Sequence, residues 1–272
     1  MLRRTSIGWA DYSGGDLNFI IGCTSISEGC AHCYARAWAR RAGRSFSNVQ
    51  VYWDKLNRLW KAKWEPGDTP YRRGLGSKPI MFPVDLSDLF HPDVPSPVIQ
   101  QALDIFAFRV DADWVLLTKR PQRMFDETEH WRNNKAAGFE HQQLPSNIWC
   151  MATVENQKWA DERLPILLQI RAQVLGVSLE PMLGPIDLFD VDGKIAQSMS
   201  ERSMLFPADL IDWVIVGAES GPSRRPFDVA WAKDVYEQCV AAGVPFFGKQ
   251  DSGFKPGVPL FIGGKEIKEF PQ

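Results

Sequence analysis

Hydrophobic and polar positions along this chain come in blocks rather than in residue-by-residue alternation. From about residue 79 onward, short apolar runs recur, each ending in polar or charged side chains and followed by a loop or a helical stretch. The runs are "PIMFPVDLSD" (79–88), "WVLLTKR" (114–120), "IWCMATVEN" (148–156), "QVLGVSLEP" (173–181), "WVIVGAES" (213–220) and "VPFFGKQ" (244–250). Near-continuous apolar runs of this length predict strands covered on both faces, as in a parallel sheet wrapped by helices. Between them, "SPVIQQALDIFAFR" predicts a helix with Ser96 as N-cap, Pro97 at the first helical position, and Ile99, Leu103 and Phe106 on one face. "DVAWAKDVYEQCVAAG" predicts another, from Asp228 to a closing glycine at Gly243. "PQRMFDETEHWRN" and "NQKWADERLPILLQI" are less regular helical patterns, the second interrupted by Pro165.

A further run, "LNFIIG" (17–22), brings the count to about seven strands and reads as the first of them. Strands alternating with helices predict the α/β class. The expected architecture is a full or partial (β/α) TIM-type barrel, forming one domain over 1–272 with irregular insertions near 60–78 and 184–210. The reason is chemical. The runs end in Asp85 and Asp88, Thr118 to Arg120, Thr153 to Asn156, Ser178 and Glu180, Glu219 and Ser220, and Lys249 and Gln250. A barrel gathers such strand ends at one mouth, where sites are built.

Composition narrows the setting. The chain has 272 residues, 44% hydrophobic and 24% charged, which is ordinary for a globular protein. No apolar run approaches the ~20 residues needed to span a bilayer, and the N-terminus lacks the apolar stretch of a secretory signal. The expected compartment is therefore the cytoplasm, where thiols serve metals or catalysis more than disulfides. A net charge of −2 excludes a wholesale basic protein and leaves room for a local basic groove. Eleven tryptophans serve packing first. Those in "YWDKLNRLWKAKWEPGDTPYRRG" (52–74), interleaved with Lys and Arg, suit either a nucleotide-binding lip or a charged helix followed by a loop.

Three of the five cysteines lie in "GCTSISEGCAHCYAR" (22–36), directly after the run read as the first strand. Cys23, Cys30 and Cys33 are one ligand short of a closed structural site. Structural zinc would need a fourth ligand from His32, which is squeezed into a two-residue gap, or from His91. A three-ligand catalytic zinc in a barrel hydrolase, or a zinc-stabilised nucleic-acid-binding module, is also compatible with these residues. An iron–sulfur cubane held by three thiolates would keep one iron open for chemistry. Cys150 and Cys239, in a strand and a helix, read as small buried hydrophobes.

The loop resembles that of radical S-adenosylmethionine (SAM) enzymes, whose C-x3-C-x2-C motif and aromatic residue follow the first strand of a partial barrel. Here the spacing is C-x6-C-x2-C followed by Tyr34. Together with "DLSDLFHPDVP", "LLTKRPQR", "ATVENQ", "SLEPMLGPIDL", "IDWVIVGAESGPSRRP" and "AGVPFFGKQ", it resembles the phage-associated three-Cys-motif proteins over about residues 7 to 250. The resemblance implies a radical SAM-like barrel with a [4Fe-4S] cluster on Cys23, Cys30 and Cys33. It also implies SAM as cofactor, an electron donor such as flavodoxin or ferredoxin, and a phage or prophage setting. Reductive cleavage of SAM to a 5′-deoxyadenosyl radical would then modify or rearrange a substrate, with a phage DNA base or nucleotide as the candidate. Glu219 and Ser220 are expected to bind the amino and ribose groups of SAM, and Lys119 or Arg120 its carboxylate. Glu155, Asn156 and Glu180 are expected at substrate or ribose, and Tyr34, Asp85 and Asp88 on the cluster side. Arg224 and Arg225 could grip a phosphate or lie on an exposed loop. Two glycines are expected before Glu219, and this chain has Gly217-Ala218.

Overall fold

The computed structural model describes residues 4–64, 78–134, 143–188 and 211–271. Most of both expected insertions, at 65–77 and 189–210, lies outside the described residues, as does the second half of the tryptophan-rich stretch. The chain divides into two compact units, 1–150 with 171–173, and 151–170 with 174–272. No helix among the described residues is long and apolar enough to cross a membrane.

The principal sheet has seven strands in the order β1 (Tyr12–Ser13), β4 (Ile80–Phe82), β5 (Asp113–Thr118), β6 (Ile148–Thr153), β7 (Val174–Leu179), β8 (Trp213–Gly217) and β9 (Phe246–Gln250), with parallel pairing at β1–β4, β4–β5, β7–β8 and β8–β9. Strand number rises steadily across the sheet with no switch point. That is the order of a partial (β/α) barrel and not of a doubly wound sheet. The protein is of the α/β class, as its block pattern predicts.

In the first unit the sheet starts at β1 (Tyr12–Ser13), which pairs with β4 (Ile80–Phe82). This corrects the reading of "LNFIIG" as the first barrel strand. Those residues supply β2 (Ile20–Ile21), which pairs antiparallel with β3 (Gln50–Val51) in a separate two-stranded ribbon. Its apolar run belongs to the core, with Phe19 and Ile20 fully buried. Only Gly22, one residue further on, bridges in parallel to Ser87 beyond β4. α1 (Tyr34–Arg41), α2 (Trp53–Arg58), α3 (Ser96–Phe108), β5 (Asp113–Thr118) and α4 (Pro121–Asn133) follow.

Helix α3 buries Ile99, Leu103 and Phe106 completely, each worth ~1.5–3 kcal/mol relative to exposure. Its start differs from expectation: Pro95 is the N-cap, and the Ser96 hydroxyl donates to Glu127 Oε2 at 2.7 Å, tying α3 to α4. The tryptophan-rich stretch is helical over 53–61, with Trp53 exposed and several other side chains packed. Leu56 and Leu59 are buried, Trp60 lies against Phe108, and Arg109 stacks over Trp64 at 3.8 Å.

The second unit takes over within β6 (Ile148–Thr153). It contains α5 (Gln157–Leu167), β7 (Val174–Leu179), β8 (Trp213–Gly217), α6 (Val229–Ala242) and β9 (Phe246–Gln250), then a ribbon of β10 (Phe261–Ile262) and β11 (Lys265–Glu266). Helix α5 is capped by Asn156, whose side chain accepts from the Trp159 N–H at 3.3 Å. It runs through Pro165 and ends at Leu167, so the proline sits inside the last turn instead of breaking the pattern. Helix α6 starts on Asp228, which accepts from the Ala230 N–H, and ends on Gly243 at φ +71°, both as expected. Cys150 and Cys239 are fully buried, and desolvation pushes both thiols up to about 12.

Candidate functional site

The cysteine loop is pinned at its origin by Gly22. This residue has φ +106°, and a Cβ on it would lie 2.6 Å from the Asn48 carbonyl oxygen and 2.9 Å from that of Phe46, so no other residue fits. From there the Cys23 N–H donates to the Phe46 carbonyl at 2.7 Å. Cys30 closes a 3₁₀ turn at Glu28–Cys30, and Cys33 is the N-cap of α1. Tyr34 is exposed, and its hydroxyl donates to the Asp85 carbonyl, joining the start of α1 to the segment after β4.

The end of β5 reaches this loop. Lys119 Nζ donates to Ser27 Oγ at 3.3 Å and lies 3.5 Å from Cys30 Sγ. Arg120 donates to Thr24 O at 3.0 Å and Thr24 Oγ1 at 3.2 Å, and its Nη1 is 3.6 Å from Cys23 Sγ. Buried Asp88 holds Arg120 in place at 2.8 Å. Asp88 also accepts from Thr118 Oγ1 at 2.7 Å and from the Phe90 N–H at 3.0 Å, so it knits the strand end together. Asp85 accepts from Asn18 Nδ2 at 2.6 Å, and burial raises its carboxyl above the ordinary range against that bond.

The thiols differ electrostatically. Desolvation, then the Asp88 charge, push Cys23 up to about 11, with Arg120 opposing. Desolvation also acts on Cys30, but the Lys119 charge and hydrogen bonds from the Ile26 and Ser27 backbone outweigh it and leave its thiol below the usual value. His91, weighed above as a zinc ligand, is buried with both ring nitrogens engaged. Nδ1 accepts from the Asp93 N–H at 3.1 Å, so Nε2 carries the proton and donates to Thr24 Oγ1 at 2.8 Å. Desolvation holds its pKa below the ordinary value.

All three loop cysteines are free thiols. Among the described residues, no three His, Cys, Asp or Glu side chains are drawn together closely enough to hold a metal ion. The chemistry of the donor set nonetheless fits an iron–sulfur cluster: three thiols on one loop, two of them facing a cationic donor, Lys119 at Cys30 and Arg120 at Cys23.

The strand ends of the second unit carry the other expected residues, and each glutamate there has a basic partner. Glu155 is fully buried and bonded to Arg163 at 2.8 Å, while the same Arg163 nitrogen donates to Thr153 O. Expected at substrate or ribose, it is sealed from solvent instead. Glu180 pairs with Lys249 at 2.5 Å and accepts from Ser178 Oγ at 3.1 Å. Glu219 is clamped by Arg225, which donates to Oε1 from Nη2 and to Oε2 from Nε at 3.1 Å and from its backbone N–H at 2.8 Å. Arg225 is therefore no free phosphate grip. Ser220 bridges to Gly253. A Cβ on Gly217 would lie 2.9 Å from Glu180 Oε1, so the carboxylate held by Lys249 would have to shift to admit it. Ala218 is buried, its N–H bonded to Gln250 O, and the methyl is accommodated.

A parallel sheet in barrel order, with a three-cysteine loop supported from the end of β5, defines the class of protein. A family model described as "Protein of unknown function (DUF5131)" matches residues 4–262, and the chain belongs to that family. No curated protein matches it. Among solved structures it is similar to spore photoproduct lyase complexed with dinucleoside spore photoproduct, at 13% identity and a TM-score of 0.47, covering 88% of this chain and 63% of that one. A double mutant of that lyase with bound AdoMet and dinucleoside spore photoproduct matches at 12% identity and a TM-score of 0.47, covering 88% of this chain and 63% of that one. The chain thus spans 63% of the length of these structures.

Proposed function

We propose that this protein is a radical SAM enzyme in which Cys23, Cys30 and Cys33 hold a [4Fe-4S] cluster with one open iron. The observation that carries this reading is the convergence of Lys119 and Arg120 on the sulfurs of Cys30 and Cys23, at 3.5 and 3.6 Å. Lys119 so placed favours the Cys30 thiolate, and Arg120 counters the burial that raises Cys23. Three thiolates leave a cubane one ligand short. When bound, the cluster and SAM supply one-electron cleavage of the sulfonium to a 5′-deoxyadenosyl radical.

The chain's own residues then have distinct tasks. Arg120, oriented by Asp88, and Lys119 steady the loop, and either could still reach a carboxylate. Tyr34 fixes the start of α1 on the Asp85 segment. In the second unit we assign Glu219 and Ser220 to the amino and ribose groups of SAM and Glu180 to a further polar contact. Glu155 supports β6 through Arg163. The substrate we propose is a nucleic-acid base or nucleotide in a phage or prophage setting, with flavodoxin or ferredoxin as electron donor and the host cytoplasm as the compartment.

Iron and acid-labile sulfide on anaerobically reconstituted protein test this, with EPR of the dithionite-reduced sample before and after adding SAM. About four irons and four sulfides, with a signal that shifts on adding SAM, are expected. Zinc without sulfide would overturn the proposal in favour of a metal-stapled binding module.

A further inference from the structure

The first unit contains a pocket of about 490 Å³ beside the cysteine loop, lined by Cys23, Thr24, Ser25, Arg36, Arg40 and Arg44, with Phe46 and Ser47 completing its wall. Arg36 and Arg40 stand one helical turn apart on α1, and Arg44 follows the end of that helix. Arg36 donates to Ser25 Oγ and lies over the Phe46 ring, while Arg44 donates to the Tyr52 hydroxyl at 2.9 Å. Arg40 is exposed, and its side chain makes no hydrogen bond or ion pair with a described residue.

None of these three arginines has a carboxylate partner among the described residues. That sets them apart from Arg4, Arg109, Arg120, Arg123 and Arg132 of the same unit, which pair with Asp11, Asp111, Asp88, Glu127 and Glu129. Like charges converging on one concavity repel, and an anion that joins them relieves this. Guanidinium forks match phosphate oxygens. The hydroxyls of Thr24, Ser25 and Ser47 line the same pocket and can add donors to an anion held there. The volume is that of a nucleotide-sized site.

We infer that this pocket binds phosphate groups, either of a nucleic-acid strand or of a free nucleotide. The inference deepens the nucleic-acid part of the proposed function and does not depend on the cluster. Because the Cys23 N–H is bonded to Phe46 O, the phosphate site and the first cysteine share one piece of backbone.

The test is fluorescence anisotropy of a 5′-labelled single-stranded DNA 12-mer with the reconstituted protein, at several salt concentrations. Competition by thymidine monophosphate, inorganic sulfate and poly-glutamate completes the set. Arg40→Ala and Arg36→Ala should each weaken binding by about tenfold and flatten the log–log salt dependence by about 0.7 per lost phosphate contact, and Arg40→Lys should retain most of the affinity. Arg40→Ala removes no bond, so its melting curve should match the parent's. Competition by thymidine monophosphate would identify a free nucleotide as the ligand, and its failure to compete would identify strand phosphates. Tight DNA binding that neither substitution weakens would overturn this inference alone. Competition by sulfate or poly-glutamate as strong as by nucleotide would also overturn it, showing a general anion site. No DNA or nucleotide binding at any salt would sink both it and the nucleic-acid substrate. Iron and sulfide content decides the cluster separately.

Discussion

The strand ends of the second unit and the cysteine loop of the first treat charge differently. At the strand ends of the second unit, Glu155, Glu180 and Glu219 are each neutralised by a basic residue of the same unit, with side-chain exposures of 0%, 15% and 7%. Around the cysteine loop of the first unit, Lys119 and Arg120 are aimed at sulfur, and Arg36, Arg40 and Arg44 line a pocket without a carboxylate partner among the described residues. The contrast separates support from readiness. A fully buried pair such as Glu155–Arg163 is a staple whose exchange for a ligand would strand a charge. The partly open Glu180 and Glu219 pairs can exchange partners at lower cost. The first unit's unpaired arginines have no partner to exchange.

The strongest break in this comparison should come from the loop thiols. Cys23→Ala, Cys30→Ala or Cys33→Ala should abolish iron and sulfide loading and all activity, whereas Cys150→Ala and Cys239→Ala should keep the metal content. Elemental analysis after reconstitution reads this directly. Next comes the staple. Arg163→Met should cost ~3–5 kcal/mol in denaturant unfolding by leaving Glu155 buried and unpaired, and adding Glu155→Leu should recover most of it. Arg225→Ala should cost less, ~1–3 kcal/mol, because Glu219 keeps some access to water.

A smaller effect sharpens the glycine question. Gly217→Ala should cost about 1 kcal/mol by making the Glu180 carboxylate shift away from the new methyl. Ala218→Gly, which restores the expected glycine pair, should cost no more than ~1 kcal/mol. The smallest effect concerns Asp212, an acid of the second unit with no basic partner among the described residues, whose carboxyl is pushed by desolvation up to about 6. The folded state favours its protonated form, so its contribution is present below the ordinary value of 3.8 and fades as pH rises through about 6. Asp212→Asn should flatten that decline in thermal melts taken across the window.

What was legible in the sequence depended on whether a few neighbouring residues suffice to decide it. Continuous apolar runs announced six of the sheet strands because both faces of each are covered. Asp228 and Gly243 marked their helix because capping is local. β1 was missed because Tyr12–Ser13 is too short to show a pattern and is set by its pairing with Met81 and Phe82. "LNFIIG" misled because a buried ribbon strand and a barrel strand share the same apolar run. The acidic strand ends were legible, but their partners were not. Arg163 and Arg225 return to them eight and six residues on, and Lys249 from the neighbouring strand end, contacts that the positions alone do not announce. The arginine pocket was half visible, since Arg36 and Arg40 share a helix face, but Ser25, Arg44 and Phe46 join it only through folding.

The rigid seat of Gly22 also bears on how this loop can tolerate variation in length. One end of the arc is clamped between backbone carbonyls, and the other is fixed where Cys33 opens α1. Residues added between them lengthen a ring whose closing points stay put. The entropy of closing such a ring grows only with the logarithm of its size, so three residues added to an arc of about eight cost about 0.3 kcal/mol. The longer first spacing is therefore a mild thermodynamic burden, one that a single good hydrogen bond offsets.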